Sequence, residues 1–315
     1  MRDKPKKSFT DRLDPILKKY SSVMPALVEV DPSSFFLANF WAPLKLYCLA
    51  AYAHSCYVPI ISRNIGDNFY FIDLLSNSGI DLVCKYRDCE PQPEKCSKCS
   101  KKHYIVGSPL IAATAIPPFK KMFFVDENKT NLDALRGRLD ILTNAGLSKS
   151  QFKLIHGDCN LAVDGILAEL TQSGKHHALV FIDNQGLDAD WATINKLLEH
   201  RYCDLIINFP TSNVTRNPHN LGALKRFLGS SDFGTKTPLD YYVEKIRETG
   251  KTVETIAVRT GIPFHYDLII VTKPDAKFSG VIHHIKENIE RNTAREAENA
   301  FNILLGKQDT LTRFQ

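Results

Sequence analysis

Four of the eight cysteines in this 315-residue chain lie close together, at a spacing that could bind a metal ion. They occur as Cys84-x4-Cys89-x6-Cys96-x2-Cys99. Four thiolates fill the tetrahedral shell of a structural zinc ion and leave no open position for catalysis. We therefore predict a structural Zn²⁺ site at Cys84, Cys89, Cys96 and Cys99, with His103 as a substitute fourth ligand. An iron–sulfur cluster and unligated thiols are the alternatives.

The chain carries no sign of secretion or of membrane insertion. Its N-terminal residues 1–20 are basic and lack an apolar core, so we expect no secretory signal and no disulfides. The most apolar stretch, residues 44–61, is interrupted by Lys45, His54 and Pro59, which argues against a transmembrane helix. We predict a cytoplasmic protein. The net charge of +5 permits a nucleic-acid partner without requiring one.

A second set of polar residues follows short apolar runs that are typical of buried strands. The first run contains Asp73 and leads into a turn of small residues with Asn77 and Gly79. A cofactor loop needs small residues because its main chain must approach the ligand closely, and Asn77 tolerates the positive φ that glycine otherwise supplies. We predict Asp73, Asn77 and Gly79 as cofactor-binding residues. An ordinary turn after a strand is the alternative.

Asp126 and Asp158 end the next two runs, where carboxylates can bind a nucleoside. Gly79 and Asp126 are 47 positions apart, and excising residues 81–106 reduces the separation to 21. This matches the roughly 20 residues between a cofactor loop and the acid that binds the ribose. We predict that Asp126 binds a ribose and that Asp158 lies near an adenine. The alternative for each is a helix N-cap, for residues 128–145 and for a helix beginning near residue 160.

Asp183 and Asn208 end the fourth and fifth runs and are the predicted catalytic residues. Carboxyl ends of parallel strands meet at one edge of a sheet, so both side chains should face the crevice that contains Asp73. Asp183 could accept a proton and Asn208 could hydrogen-bond a substrate. Stiffening of the loops by Gly186 and Pro210 is the alternative reading.

The elements that position these residues alternate between apolar runs and amphipathic segments. This alternation predicts an α/β fold with a doubly wound, mostly parallel sheet, in which the final strand inserts antiparallel. Helical spacing in residues 33–57 predicts a buried helix. We divide the chain into an N-terminal arm and helical cover (1–65) and a Rossmann-type domain (66–315), with the cysteine-rich insertion (81–106) inside the latter.

Several of these segments together resemble the three-Cys-motif partner family. They are FIDLLSNSG (residues 71–79), GSPLIA (107–112), FIDNQGL (181–187) and INFP (207–210). Upstream, Trp41, Lys45 and Tyr47 are similar to the family's N-terminal helix. The resemblance covers about residues 35–305, and the GSPLIA and FIDNQGL segments are its most specific parts.

The resemblance implies a class I S-adenosylmethionine-dependent methyltransferase fold, and a neighbouring radical-SAM-like protein with a cysteine motif as a partner. We therefore predict a methyltransferase whose acceptor could be a nucleic-acid base. Ser76 and Asn77 stand where the family has small Gly or Ala residues. That departure favours the alternative of a non-catalytic Rossmann scaffold, which binds nucleic acid or a protein partner through a zinc knuckle.

Overall fold

The structure is a computed structural model that describes residues 20, 22–31, 33–53, 68–83, 103–115, 118–216, 220–260, 265–274 and 279–304. Its strands follow one another along the chain in this order: β1 (Phe36–Ala38), β2 (Phe69–Asp73), β3 (Ile80–Val83), β4 (His103–Val106), β5 (Lys121–Asp126), β6 (Gln151–His156), β7 (His177–Asp183), β8 (Cys203–Phe209), β9 (Thr252–Arg259) and β10 (His265–Thr272).

Seven of these strands form one sheet in the order β6-β5-β2-β7-β8-β10-β9. The pairs from β6 through β8 are parallel, whereas β10 is antiparallel to both β8 and β9. Numbered along the chain, the strand order is 3-2-1-4-5-7-6. The predicted mostly parallel sheet with an antiparallel final strand is confirmed.

Helices cover both faces of this sheet. They are α1 (residues 22–29), α2 (Pro43–Ala51), α3 (Ser108–Ala113), α4 (Lys129–Asn144), α5 (Cys159–Gln172), α6 (Trp191–Glu199), α7 (Thr211–Arg216), α8 (Leu221–Leu228), α9 (Pro238–Glu248), α10 (Ser279–Arg291) and α11 (Thr293–Leu304). Because successive strand residues point to opposite faces, Phe71 and Phe181 join one hydrophobic cluster while their neighbours Ile72 and Ile182 join the other. This burial on both sides explains why the strands are apolar throughout.

The single helix predicted over residues 33–57 is wrong, and the C-terminal helical segment is also interrupted. Residues 33–57 do not form one helix, because Asn39 accepts hydrogen bonds from the main-chain N–H groups of Trp41 (3.0 Å) and Ala42 (3.1 Å) and α2 begins only at Pro43. The C-terminal helix divides at Asn292, whose side chain accepts from the N–H of Arg295 at 3.2 Å. In both places an asparagine side chain replaces helical hydrogen bonds, as helix caps do.

A small second sheet has the order β1-β3-β4, and it was not predicted. β3 and β4 are antiparallel, with Ile80 opposite Val106, and the N–H of Gly107 donates to the carbonyl oxygen of Gly79 at 2.8 Å. The chain therefore returns beside Gly79, and Ile80 and Asp81 of β3 stay buried. Residues 84–102 lie outside the described part of the chain, so the zinc site at Cys84, Cys89, Cys96 and Cys99 stays a prediction.

Across the described residues, every helix is too short or too polar to span a bilayer.

Candidate functional site

The predicted site residues lie along the carboxyl edge of the large sheet. β2 and β7 are neighbours there although β5 and β6 intervene in the chain, so the strand order reverses between them. Open α/β sheets bind ligands outside the strand ends at such a switch point. Asp73 ends β2 and Asp183 ends β7, and Asp183 lies opposite Asn208 of β8 in the strand register.

The loop after β2 folds against the end of β5. Asn77 has φ 54° and Gly79 has φ 84°, and a Cβ at Gly79 would come within 2.9 Å of Leu135. The N–H of Asn77 donates to Oδ2 of Asp126 at 2.8 Å. The structure thus brings Asn77 and Asp126 into direct contact, although 49 positions separate them in the chain.

The carboxylate of Asp126 also organises the start of α4. Its Oδ1 accepts from the N–H of Asn128 at 2.8 Å and from the side-chain amide of Asn131 at 3.2 Å. The N-cap of α4 is Asn128, which accepts from the N–H of Thr130, and not Asp126 as one interpretation of the sequence proposed. A carboxylate has about four acceptor positions, so Asp126 keeps room for one further donor.

A cavity of about 380 Å³ opens beside Asp126, and we call it the acidic cavity. Leu74, Leu75 and Gly157 contribute to its wall. Its charged lining residues are five acids and one arginine: Asp126, Glu127, Asp158, Asp188, Asp190 and Arg226. The arginine lies 3.6 Å from the carboxylate of Asp190. Burial raises the pKa of Asp190. The cavity therefore favours ligands that are cationic or rich in hydrogen-bond donors.

Asp158 is a helix N-cap and also lines the acidic cavity, where the sequence placed it either as an N-cap or near an adenine. It is the N-cap of α5, with Oδ1 accepting from the N–H of Asn160 at 2.7 Å. It also lines the acidic cavity, on the side opposite β2.

Asp73 is fully buried between β5 and β7. Burial raises its pKa to about 7, and the nearby carboxylates of Asp183 and Asp126 add to this, while hydrogen bonds from the Ser108 side chain and the Leu75 N–H oppose it. Within the described residues, its Oδ2 has no hydrogen-bond partner. An unpaired buried carboxylate oxygen is unfavourable without a donor, which agrees with the raised pKa. Asp73 lines neither of the two cavities described below, so its role in cofactor binding stays a prediction.

Asp183 is bound on both oxygens by neighbouring side chains. Lys45 of α2, itself only 5% exposed, lies 2.8 Å from Oδ1 and 2.6 Å from Oδ2. The side-chain amide of Asn208 donates to Oδ1 at 2.9 Å. A proton arriving at Asp183 would compete with Lys45, so its role as proton acceptor stays a prediction.

Asp81 adds a third carboxylate to this group, and sequence reasoning did not single it out. It is buried on β3, and burial raises its pKa to about 7, with Asp183 adding to the effect and Lys45 opposing it. One lysine thus serves at least two carboxylates. The only sequence signal was the interruption of an apolar stretch by Lys45.

A second cavity, of about 310 Å³, lies on the other side of the loop that follows β7. Five of its lining residues carry amide side chains, and we call it the amide-rich cavity: Asn39, Asn184, Gln185, Asn208 and Asn213. Lys45 and Arg216 are its cationic lining residues, and none of its described lining residues is a carboxylate.

The loop after β7 separates the two cavities and is held firmly. Asn184 and Gln185 line the amide-rich cavity, whereas Leu187 and Asp188 line the acidic one. The side chain of Asn184 donates to the main-chain carbonyl oxygen of Asn208 at 3.1 Å and accepts from the N–H of Ala189 at 3.0 Å. A ligand in one cavity and a second ligand in the other would meet at this loop.

The strand order, the antiparallel final strand and the crevice at the β2–β7 switch point define a Rossmann-like α/β fold. Among solved structures, the chain is similar to the methyltransferase domain of bacterial CtHen1-C (12% identity, TM-score 0.36, covering 69% of this chain and 94% of that one). It is also similar to Trm1 from Pyrococcus horikoshii in complex with S-adenosyl-L-methionine (10% identity, TM-score 0.35, covering 74% and 58%).

No family model matches the sequence, and no curated protein matches it either. The resemblance to the three-Cys-motif partner family is therefore not supported by a family match. At these identities and TM-scores, the likeness to the solved structures carries no information on activity.

Proposed function

We propose that the protein is an S-adenosylmethionine-dependent methyltransferase. The observation that carries the proposal is the direct contact between the Asn77 loop and Asp126 at the edge of the acidic cavity. Asp126 lines that cavity together with Leu74 and Leu75 of the same loop, at the carboxyl edge of the sheet, where α/β proteins of this kind bind their ligands.

The residues of the acidic cavity suit the adenosine part of this cofactor. Asp126 keeps one acceptor position and Glu127 is exposed beside it, so the two carboxylates can hold the ribose hydroxyls. Asp158 lines the same cavity and can accept from the adenine amino group. Asp73 is fully buried and does not line the cavity, so its part in cofactor binding stays a prediction.

The charge of the cavity distinguishes among cofactors. Five carboxylates against one arginine repel a phosphate group, and the loop after β2 lacks the glycine-rich sequence that surrounds a pyrophosphate. A dinucleotide is therefore disfavoured. S-adenosylmethionine has no phosphate and carries two positive charges, so it matches the acidic lining.

When bound, S-adenosylmethionine supplies a methyl group that passes from its sulfonium sulfur to an acceptor atom, leaving a thioether and one proton to be released. The protein's part is to hold the two reactants in line. Asn208 lines the amide-rich cavity and donates to Asp183, and the two would orient the acceptor. Lys45 keeps both of them in place through its contacts with the Asp183 carboxylate.

One observation favours the second candidate, a scaffold without catalytic activity. Asp126 already accepts three hydrogen bonds from the protein, which reduces what it can offer to a ribose. A scaffold would use the same fold for binding a nucleic acid or a protein. The implied radical-SAM-like partner and the zinc knuckle would belong to that role, and both stay predictions.

Calorimetry with S-adenosylmethionine and S-adenosylhomocysteine separates the two candidates. We expect micromolar dissociation constants for both compounds with the wild-type protein. The Asp158→Ala variant should bind each at least about tenfold more weakly, because a lost hydrogen bond to a charged group is worth about 1.5–3 kcal/mol. The Asp164→Ala variant, an exposed carboxylate on the same helix, should bind like the wild type. Absence of binding at millimolar ligand would reject the methyltransferase.

A further inference from the structure

We propose that the amide-rich cavity binds the base of an unpaired nucleotide, with its exocyclic amino group on Asn208 and its phosphate on Arg216. This binding site is inferred from the cavity alone. Only the statement that the bound nucleotide is the methyl acceptor rests on the proposed function.

The orientation of the Asn208 side chain is fixed by its neighbours. Its NH₂ group donates to Oδ1 of Asp183 and to the carbonyl oxygen of Asn184, both at 2.9 Å. Both neighbours are acceptors, so the amide cannot be flipped. The side-chain oxygen Oδ1 of Asn208 is then left without a hydrogen-bond partner in the described chain, although the residue is 93% buried.

An unpartnered buried acceptor at a cavity wall calls for a ligand that donates an N–H or O–H group. Because only the carbonyl oxygen is available, Asn208 can recognise an amino group but not the paired donor and acceptor of one particular base. Adenine, cytosine and guanine carry such an amino group. Uracil and thymine offer only a ring N3–H that is flanked by two carbonyl oxygens, so they should fit the single acceptor less well.

The charge of the cavity selects against amines that are themselves cationic. Lys45 is already paired with Asp183, so the positive charge of the cavity comes from Arg216, and no described lining residue is acidic. A protonated lysine of a peptide would be repelled. The exocyclic amino group of a nucleotide base fits better. That amino group is neutral, and the phosphate of the same nucleotide is attracted to the positive charge of the cavity.

Arg216 is placed to make that phosphate contact. Its side chain is exposed at the end of α7, and its Nε donates to the carbonyl oxygen of Ser212 at 3.0 Å. No carboxylate of the described residues forms an ion pair with it. Its terminal nitrogens therefore offer the planar pair of donors that arginine presents to phosphate.

The cavity walls suit a flat ring that has left a double helix. The half-buried ring of Phe36 and the exposed side chain of Leu37, 41% accessible, lie on one side of the cavity, and Tyr266 lies at its base. A volume of about 310 Å³ is near the lower end for ligand pockets, about 300–1,000 Å³. Asn208 is deep enough that a base paired within a duplex could not reach it, so the nucleotide must be unpaired.

The test is fluorescence anisotropy with short labelled oligonucleotides and no cofactor present. The probes are oligoadenylate, oligocytidylate and oligouridylate, as RNA and as DNA with thymidine in place of uridine, and a matched duplex. We expect the unpaired adenine and cytosine probes to bind more tightly than the uracil or thymine probes, and the duplex to bind weakest. Comparing RNA with DNA identifies the sugar, and a preference for either supports the proposal.

Two variants locate the contact. Arg216→Glu should weaken the binding of oligoadenylate at least about tenfold, since a phosphate contact is replaced by a repulsion. The matched control Arg201→Glu changes the same charge at the opposite edge of the sheet and should weaken binding by less than about threefold. Asn208→Ala, checked for folding by thermal denaturation, should abolish the preference for adenine over uracil. Arg216→Glu does not touch the core, so the test holds even if Asn208→Ala does not fold.

Equal effects of Arg216→Glu and Arg201→Glu, or duplex binding as tight as single-strand binding, would overturn the proposal, as would preferential binding of an oligolysine peptide. Failure of the methyltransferase is distinguishable from failure of the pocket. Nucleotide binding that depends on Arg216, without any binding of S-adenosylmethionine, would support the nucleotide pocket and reject the methyltransferase. Binding of S-adenosylmethionine without nucleotide binding that depends on Arg216 would reject the pocket and support the methyltransferase.

Discussion

The main-chain N–H of Asn77 donates a 2.8 Å hydrogen bond to the carboxylate of Asp126. This bond fixes the loop after β2 against the end of β5, at the edge of the acidic cavity. The same carboxylate accepts from Asn128 and Asn131, so one side chain sets both the loop and the beginning of α4. Its geometry is the basis of the first prediction.

Replacing Asp126 with asparagine should damage both stability and cofactor binding. The amide keeps only one acceptor oxygen, so its NH₂ would face either the N–H of Asn77 or the donors of Asn128 and Asn131. We expect a loss of about 1–3 kcal/mol in the free energy of unfolding, measured by urea denaturation. Calorimetry should show S-adenosylmethionine binding at least about tenfold weaker. Asp133→Asn, on the exposed face of the same helix, is the control, and equal behaviour of the two variants would contradict the prediction.

Lys45 should be essential for stability because its ammonium group is the cation beside two buried carboxylates. Removing one partner of a buried ion pair typically costs about 3–5 kcal/mol, and we expect Lys45→Met to lose that much in urea denaturation. The double variant Lys45→Met/Asp183→Asn should recover part of the loss, since the unpaired charge is gone.

The control for Lys45 is Lys129→Met. Lys129 forms an exposed pair with Asp133 one turn along α4, and its side chain is 70% accessible. Such pairs contribute only about 0.3–0.5 kcal/mol. If Lys45→Met proved no more destabilising than Lys129→Met, the buried charge group would have no energetic importance.

The buried carboxyl of Asp81 should make stability fall as the pH rises. Burial raises its pKa from 3.8 to about 7, so the folded protein holds a proton that the unfolded chain releases above about pH 4. Its contribution is therefore fully present below pH 3.8 and is lost as the pH rises through 7. Asp73 acts in the same direction.

Asp81→Asn removes this dependence. Relative to the wild type, the variant should gain unfolding free energy between pH 5 and pH 8, by at most about 3 kcal/mol, because one pKa unit corresponds to about 1.4 kcal/mol. Urea denaturation at the two pH values measures it. Asp140→Asn, an exposed carboxylate, should show no such gain. A difference that stays constant with pH would show that Asp81 does not titrate as described.

Arg138 should hold the N-terminal segment to the cofactor loop. The side chain is fully buried on α4, and its guanidinium donates to four main-chain carbonyl oxygens, those of Leu27 (3.0 Å), Asp31 (3.1 Å), Ser34 (3.1 Å) and Ser78 (2.7 Å). Lysine cannot reproduce this planar arrangement of donors.

We expect Arg138→Lys to reduce the free energy of unfolding by about 1.5–3 kcal/mol for each charged hydrogen bond that is not replaced. Hydrogen exchange should also accelerate across residues 22–38. Arg136→Lys, exposed on the same helix, is the matched control. Unchanged exchange in residues 22–38 would mean that other contacts hold this segment.

The cysteine cluster should bind about one zinc ion per chain, measured by elemental analysis of the purified protein. Cys96→Ser removes one thiolate of the four and should lose the metal, because zinc prefers a complete tetrahedral shell. Cys48→Ala, a buried thiol of α2, should keep it. A wild-type protein without metal, or one with iron and sulfide, would contradict the zinc assignment.

The sequence was sufficient for the large sheet because its five inner strands are buried on both faces. That burial makes each run apolar from end to end, and the runs alternate with amphipathic helices, so type and order could be read locally. The small sheet was missed since β1 spans only Phe36–Ala38 and pairs with β3, a strand more than forty positions away. Strands this short leave no periodic pattern, and their pairing is decided by contacts distant in the chain.

The same division holds for the candidate site. The sequence by itself determined which carboxylates and amides follow the strands, because strand ends are marked by where apolar runs stop. Only the tertiary structure decided that Lys45 of α2 binds Asp183, that Asp126 is occupied by the Asn77 loop, and that acids gather in one cavity and amides in the other. Those contacts depend on packing between segments that are far apart in the sequence. The spacing of residues along the chain does not indicate which charged side chains pair in space.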